Sequence, residues 1–386
     1  MLNGYFTEAE EMLRKQVQDF TAKEIKPRAK ELARTKGIPH WLSLKLAEMG
    51  YVSVAIPEEY GGQGLSCVSQ GIVMEELAKG SISASRRVSI PHLIYFLLAE
   101  ANDKAKLKQY FPALARGEAI VAVAITEPDC GTDAAAMKTR AVKDGDHYVI
   151  NGEKTAITWT IQKDLKLIVV WAKTNPAAKA RGVSCFCFPA DTPGISISEV
   201  PLMGWEAPSS GSITFDNVRV PASSLIGEEG KGFRYLMRRF DTNKIMLALE
   251  TLGLAQASLD DTILHAKERK TFGQPLGKWE AISFKIVDDI TEVTAARLMC
   301  YQALRLCDRG MNFTKEAAMS KLIGPRVASK VIHDCLLMHG YVGYSDESEF
   351  PYRLRQAIGY QIADGTAEAQ MIILAREILG REFLPY

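Results

Sequence analysis

Along the first third of the chain, apolar residues recur every three to four positions in EAEEMLRKQVQDFTAKEI, WLSLKLAEMGYV and GIVMEELAKG, with the turn-rich PEEYGGQGLS as punctuation. That spacing predicts amphipathic helices from residue 7 to about residue 112. Farther along, the period shortens to two. AIVAVAIT, HYVINGEKTAIT, LKLIVVWAKT, VSCFCFPA, GISISEV and GSITFDNVRV are β-rich runs separated by Gly, Pro and Asp, as expected of short antiparallel strands. Within KDGDHYVING, Asp144 and Gly145 carry a hairpin signal. After IGEEGKGF the helical period returns and persists to the C-terminus in three long segments, each of a length suited to a bundle helix. The expected fold class is therefore α+β and mostly α. It comprises an N-terminal helical domain over 1–117, a middle antiparallel β-domain over 118–226 and a C-terminal helical bundle domain over 227–386.

Composition narrows the function without choosing it. A chain of 386 residues with 47% hydrophobic and 24% charged residues reads as a multi-domain globular protein. Its formal charge of +1 predicts no field that would gather nucleic acid or an anionic membrane surface. No apolar run approaches the roughly 18 residues of a membrane span. The N-terminus lacks a secretory h-region and an Arg/Ser-rich transit segment. The seven cysteines, Cys67, Cys130, Cys185, Cys187, Cys300, Cys307 and Cys335, are scattered without metal-ligand spacing and are expected to be reduced core thiols. A cytoplasmic location follows as the expectation.

Familiar catalytic signatures are missing. GxGxxG after a strand, GxxxxGK[ST], HExxH and GxSxG do not occur, which removes the usual anchors of nicotinamide, nucleotide-hydrolysing, zinc-protease and serine-hydrolase chemistry. The Gly clusters at 61–64 and 227–232 need no ligand. His333 and His339 have no helical ligand partner four residues on and are expected in packing or surface roles. One interruption stands apart, Asp364-Gly365-Thr366 in YQIADGTAEAQ. It reads either as a turn, with Asp364 capping the next helix and Gly365 easing a tight corner, or as a loop that presents Asp364 as a base.

Four stretches, ITEPDCGTD (125–133), NGEKTAIT (151–158), HAKERKTFGQPLG (265–277) and IADGTAEAQ (362–370), occur in an order and spacing that resembles the acyl-CoA dehydrogenase family. AIPEEYGGQGLS extends the likeness over almost the whole chain. The resemblance implies a helical domain, a middle β-domain and a C-terminal four-helix bundle, with FAD as cofactor. A flavin is a flat apolar ring on a polar tail, and its site needs small residues, hydroxyls and backbone donors. By similarity, Val123, Ile125 and Thr126 lie along the flavin, with Thr126 at its pyrimidine edge. Gly131 and Thr132 lie near the pyrophosphate, and Ile157 and Thr158 touch the ring. Arg269, Thr271 and Phe272 are implied to serve the FAD of a neighbouring subunit, with the Arg269 guanidinium facing pyrophosphate, and Gly340 is implied to bind the cofactor. Thr366 and Glu368 are implied beside the cofactor.

The implied reaction is α,β-dehydrogenation of an acyl-CoA thioester, with α-proton abstraction by Asp364 and hydride transfer to flavin N5. Asp241, Asn243, Lys244, Ala363 and Gly365 are implied on the substrate side. An electron-transferring flavoprotein or another acceptor would take the electrons, and the implied assembly is a homotetramer built as a dimer of dimers. Several positions depart from the family pattern. Asp364 stands for the usual glutamate, one methylene shorter. Ala363 and Ala156 stand where aromatic residues are frequent, and Trp159 is a candidate to refill part of that space. Lys244 and Leu337 stand for a frequent arginine and glutamine, changes expected to weaken FAD affinity. These departures leave three readings: a dehydrogenase for branched, cyclic or otherwise bulky acyl groups; an oxidase, monooxygenase or carrier-protein thioester dehydrogenase of the same fold; and a catalytically silent partner subunit.

Overall fold

The computed structural model describes residues 4–204 and 209–384, apart from the side chains of residues 238 and 239. Helices α1 (Glu8–Phe20), α2 (Ala29–Arg34), α3 (His40–Glu48), α4 (Cys67–Ala78), α5 (Ile82–Glu100) and α6 (Lys104–Ala115) come first. Strands β1 (Ile120–Ala124), β2 (Arg140–Asp144), β3 (His147–Thr158), β4 (Leu165–Lys173), β5 (Val183–Pro189), β6 (Ile195–Glu199) and β7 (Ser210–Pro221) follow. Helices α7 (Gly232–Glu268), α8 (Glu280–Asp308), α9 (Thr314–Met338), α10 (Tyr341–Tyr344), α11 (Phe350–Tyr360) and α12 (Ala367–Leu379) complete the chain. The fold is mostly helical with a β-sheet middle region, as the alternation of hydrophobic periods predicts. By internal contacts the chain forms two compact units, Met1–Ala33 with Ser66–Ser85 and Asp241–Tyr386, and Arg34–Leu65 with Arg86–Phe240.

In the first unit, α4 packs among α1, α8 and residues 241–268 of α7, and its apolar residues are wholly buried. Close backbone approach makes this possible. A Cβ on Gly253 would come within 2.5 Å of the Glu75 carbonyl oxygen, and one on Gly324 within 2.7 Å of the Ala248 Cβ. The interior also holds charge. Arg297 Nε donates to Glu75 at 2.5 Å and its Nη2 to Gln256 at 2.9 Å, while Tyr301 Oη donates to the other Glu75 oxygen at 2.7 Å. Burial pushes the Glu75 carboxyl up, but Arg297, Lys79 and Tyr301 together hold it below the usual carboxylate range. At the start of α1, Thr7 and Glu10 form a reciprocal capping box, and Arg305 grips the same Glu10 carboxylate with two nitrogens.

In the second unit the sheet runs β1-β4-β2-β3-β7-β6, with β5 on the other edge of β4. Alternate residues Tyr148 and Ile150 of β3, Ile168 and Val170 of β4, and Phe186 and Phe188 of β5 point into one core, as the period of two requires. The sheet is mixed where the sequence predicts an antiparallel one. β2–β3, β3–β7, β6–β7 and β4–β5 are antiparallel, but β1 pairs with β4 in parallel and β2 touches it in parallel at Arg140. The cause is topological: the β2–β3 hairpin is inserted between β1 and β4, so the chain reaches β4 through a crossover rather than a tight turn. That hairpin centres one residue later than its sequence signal, with Asp144 opposite His147 and Gly145 at φ 60° as first turn residue. Gly at that place suits a type II′ turn. Buried Arg87 fixes the entry to β1 by donating to Ser43 Oγ and to the carbonyls of Leu114 and Ala119.

Arg297→Met leaves the buried Glu75 carboxylate without its ion partner and is expected to cost about 3–5 kcal/mol in urea unfolding. Arg297→Met with Glu75→Gln is expected to recover part of that loss. An unchanged unfolding midpoint in the single variant would contradict a structural role for the pair.

Candidate active site

On the second unit, the ITEPDCGTD and NGEKTAIT stretches meet through one buried ion pair. The period of two along β3 turns Lys154 inward with Tyr148 and Ile150, and its side chain is fully buried. Its ammonium donates to the Ile125 carbonyl at 2.8 Å and to Glu127 Oε1 at 2.9 Å. Glu127 also accepts the backbone N–H groups of Lys138, at 2.5 Å, and Thr139, at 2.9 Å. Residues 125–139 are thereby drawn around a single carboxylate, and the Thr155 amide donates to the Thr126 carbonyl at 2.9 Å. Burial raises the Glu127 pKa, yet the Lys138 and Thr139 amides and the Lys154 ammonium outweigh it and leave the group below its usual value. Burial also depresses Lys154, against the pull of Glu127.

This anchoring presents a consistent set of groups. Val123 lies half-buried on β1 opposite Val169, Ile157 is buried beside Gly211 on β7, and Thr158 pairs with Ser210. Among the described residues, the hydroxyls of Thr126, Thr132 and Thr158 have no hydrogen-bond partner. A Cβ on Gly131 would meet nothing within 4 Å. Open hydroxyls, an apolar Ile157 and an unobstructed glycine fit a flat apolar ring with polar edges and an anionic tail. A β-bulge separates Lys154 from Ile157, and Ala156 on it is exposed at φ 56°. Trp159 is buried at φ 70°.

On the first unit, the turn between α11 and α12 carries Asp364 at φ 53° and Gly365 at φ 96°. Aspartate tolerates the left-handed region better than most residues, and glycine adopts it freely. Thr366 then caps α12, its hydroxyl accepting from the Ala369 amide at 3.3 Å, so the cap is Thr366 and not, as the sequence suggests, Asp364. The N–H groups of Asp364, Gly365 and Thr366 donate to no described residue. Asn243 Nδ2 donates to Asp364 Oδ2 at 2.8 Å, which brings two of the expected site residues together. Lys244 and Asp241 pair at 2.8 Å, and the second Asp241 oxygen accepts from Thr314 at 2.7 Å. Ala363 is half-buried before the turn, and Glu368 is exposed in the first turn of α12.

Sequence reasoning missed the group that holds this turn. Lys321 on α9 is buried and donates to the carbonyls of Tyr360, at 2.7 Å, and Gly365, at 3.2 Å. Burial pushes its ammonium down to about 8, with Asp364 pulling it up and Lys244 pushing it down. Its signal was a lysine on the apolar face of a bundle helix. Glu127 and Lys154 were missed too, and the inward parity of Lys154 on its strand was the available clue.

Arg269, Thr271 and Phe272 sit on a small hairpin after α7, where Lys270–Thr271 pairs with Gln274–Pro275. Phe272 and Gly273 both have positive φ, and Phe272 is 95% exposed at the tip. Trp279 supports it from below, with its indole N–H on the Thr271 hydroxyl and its ring edge-on to Phe272. His265 stacks on His339 with ring centroids 4.1 Å apart, which packs the Arg269 end of α7 against the corner at Gly340. Both histidines thus have the packing role expected of His339.

The chain matches three consecutive family models: the acyl-CoA dehydrogenase N-terminal domain over residues 7–118, the middle domain over 122–218 and the C-terminal domain over 230–379. It is 34% identical to a 3-(aryl)acrylate reductase of Clostridium sporogenes, over 97% of this chain and 100% of that protein. It is 33% identical to the caffeyl-CoA reductase-Etf complex subunit CarC of Acetobacterium woodii, over 98% and 100%. The butyryl-CoA dehydrogenase of Megasphaera elsdenii superposes with a TM-score of 0.92 at 30% identity, covering 98% of this chain and 100% of that one.

The depressed Glu127 carboxyl makes a pH prediction. A carboxylate held below its unfolded value of 4.5 contributes stability that is present above that value and lost as pH falls through the folded one. Glu127→Gln is therefore expected to lower stability at neutral pH and to flatten its decline below about pH 4.5, as followed by thermal melts from pH 3 to 7. An acid limb identical to that of the parent protein would contradict this role.

Proposed function

The chain belongs to the acyl-CoA dehydrogenase family, whose members are FAD-dependent oxidoreductases, and on that premise we propose that it dehydrogenates a branched, cyclic or otherwise bulky acyl-CoA with Asp364 as the base. The observation that carries this reading is the turn at 364–366. Its carboxylate accepts one hydrogen bond, from Asn243, and the backbone N–H groups around it are free among the described residues. Asn243 occupies Oδ2 and leaves Oδ1 to take the α-proton. The free Asp364 N–H is a donor for the thioester oxygen, where negative charge grows as the proton departs. Lys321 keeps the turn in place through the Gly365 carbonyl.

When bound, FAD supplies the hydride acceptor. On the second unit we assign Val123, Ile125, Thr126, Gly131, Thr132, Ile157 and Thr158 to holding it. On the first unit we assign Thr366 and Glu368, and Arg269, Thr271, Phe272 and Gly340 toward the cofactor of a second copy. The 95% exposure of Phe272, with exposed Leu337, Tyr341 and Tyr344, supports a homo-oligomeric assembly, which we take to be a dimer of dimers. Asp241, Lys244, Ala363 and Gly365 remain on the substrate side. Asp241 already bonds Lys244 and Thr314, so its part is to fix that turn of α7 as well as to meet the thioester.

A bulky acyl group is supported by three features: the short Asp364 arm, the small Ala363 and Ala156, and two relatives named for aryl acrylate and caffeyl substrates. An electron-transferring flavoprotein as acceptor is supported by the Etf complex named for one of them. We retain the functional domains as 1–117, 118–226 and 227–386, and a cytoplasmic setting suits seven cysteines that form no disulfide in the structure.

The test is anaerobic mixing of FAD-loaded protein with straight, branched, cyclic and aryl acyl-CoA thioesters, read at the flavin band near ~450 nm. One bulky class is expected to bleach the parent protein. Asp364→Asn is expected to retain FAD and to be reduced at least about 100-fold more slowly. Normal reduction of Asp364→Asn would refute Asp364 as base. No bleaching by any thioester would turn the assignment to carrier-bound substrates, oxygen chemistry or a silent partner subunit.

A further inference from the structure

Five of the seven cysteines are buried, as the sequence suggests, but Cys67 and Cys307 are only half-buried, and their sulfurs lie 3.2 Å apart. They come from distant parts of the chain within the first unit. Cys67 is the first residue of α4, and Cys307 is next to last in α8.

The backbone around the pair is fixed independently of the sulfurs. Asp308 accepts the Cys67 amide at 2.6 Å and the Val68 amide at 3.2 Å, so the C-terminal residue of α8 caps the N-terminus of α4. Ser66 completes that cap through the Ser69 amide at 3.0 Å. Two helix ends held in register in this way present the thiols to each other repeatedly, and bonding requires a closure of only about 1.2 Å, from 3.2 Å to the usual ~2.05 Å. Cys185 and Cys187 offer no such geometry. They stand two residues apart on one strand and are fully enclosed.

We propose that Cys67 and Cys307 are a redox site that forms a reversible disulfide with a hydroperoxide as oxidant. The Cys307 thiolate attacks a peroxide oxygen, giving a sulfenic acid and releasing water after protonation. The Cys67 sulfur then attacks Cys307, the S–S bond forms, and the hydroxyl leaves as a second water. Two thiols lose two electrons and two protons, and one hydrogen peroxide becomes two waters. A dithiol reductant reverses the step by exchange. The hydrogen bond to Cys307, burial and the nearby Asp308 all hold the Cys67 thiol protonated well above its usual range, and the first attack is assigned to Cys307.

The site adjoins the proposed chemistry. Cys307 Sγ lies 3.9 Å from the Thr242 hydroxyl, and Thr242 sits between Asp241 and Asn243, the latter being the donor to Asp364. The disulfide would tie α4 to α8 beside the turn of α7 that carries those residues.

The experiment uses the full chain, reduced, desalted and treated with equimolar hydrogen peroxide, then alkylated, digested and analysed by mass spectrometry. A single cross-linked peptide joining Cys67 to Cys307 is expected, with loss of two of the seven thiols, a melting temperature raised by roughly 5 °C, and full reversal by dithiothreitol. In Cys67→Ser the cross-link is expected to vanish and Cys307 to appear as the sulfenic acid. The proposal is overturned if all seven thiols survive, if oxidation falls on other cysteines, or if Cys307 proceeds to sulfinic acid in the parent protein without a cross-link. The parent protein alone decides between these outcomes, whether or not the variant folds.

Discussion

The arrangement at the proposed base depends on a lysine ammonium buried among backbone carbonyls. A turn with two consecutive residues at positive φ, Asp364 and Gly365, has no ladder to hold it, and its Gly365 carbonyl is partly buried. Lys321 supplies the missing donors to Tyr360 and Gly365. Asp364 in turn pulls the Lys321 ammonium up, against its burial. One side chain therefore fixes the position of the turn. Gln370 adds a second donor to the Gly365 carbonyl at 3.2 Å.

The second unit solves a similar problem in the same way. Lys154 is buried, donates to the Ile125 carbonyl, and holds the loop assigned to FAD by pairing with Glu127. In each unit a buried lysine reaches a backbone carbonyl in or next to a proposed functional segment. Such a lysine is costly to bury and is retained only where its donors are used. Rigid support of this kind leaves Asp364 Oδ1 and the hydroxyls of Thr126, Thr132 and Thr158 unspent for ligands.

Much of this was legible in the sequence, and the reasons differ by element. The change of hydrophobic period separates the helical segments from the strands because each period reports which faces are buried. The motif around Asp364 was legible as a turn because Asp-Gly tolerates left-handed backbone, whereas the cap expected of Asp364 falls on the Thr366 hydroxyl two residues on. The parallel β1–β4 pairing was not legible, since alternation along a strand says nothing of its neighbour's direction. Lys321 was missed because its partners are main-chain carbonyls, which every residue has. The Cys67–Cys307 pair was missed because the two lie 240 positions apart in the chain, and only the packing of α4 on α8 joins them. Asn243, read from sequence on the substrate side, donates in the structure to Asp364.

The central claim, that Asp364 moves the α-proton, is tested most directly by exchange of that proton apart from oxidation. An acyl-CoA analogue that cannot lose its β-hydrogen, deuterated at the α-carbon, is incubated with the FAD-loaded protein, and loss of deuterium to water is followed by mass spectrometry. The account predicts rapid wash-out with the parent protein and wash-out slower by at least about 100-fold in Asp364→Asn. Equal wash-out in the two proteins would contradict it and place the base at another residue.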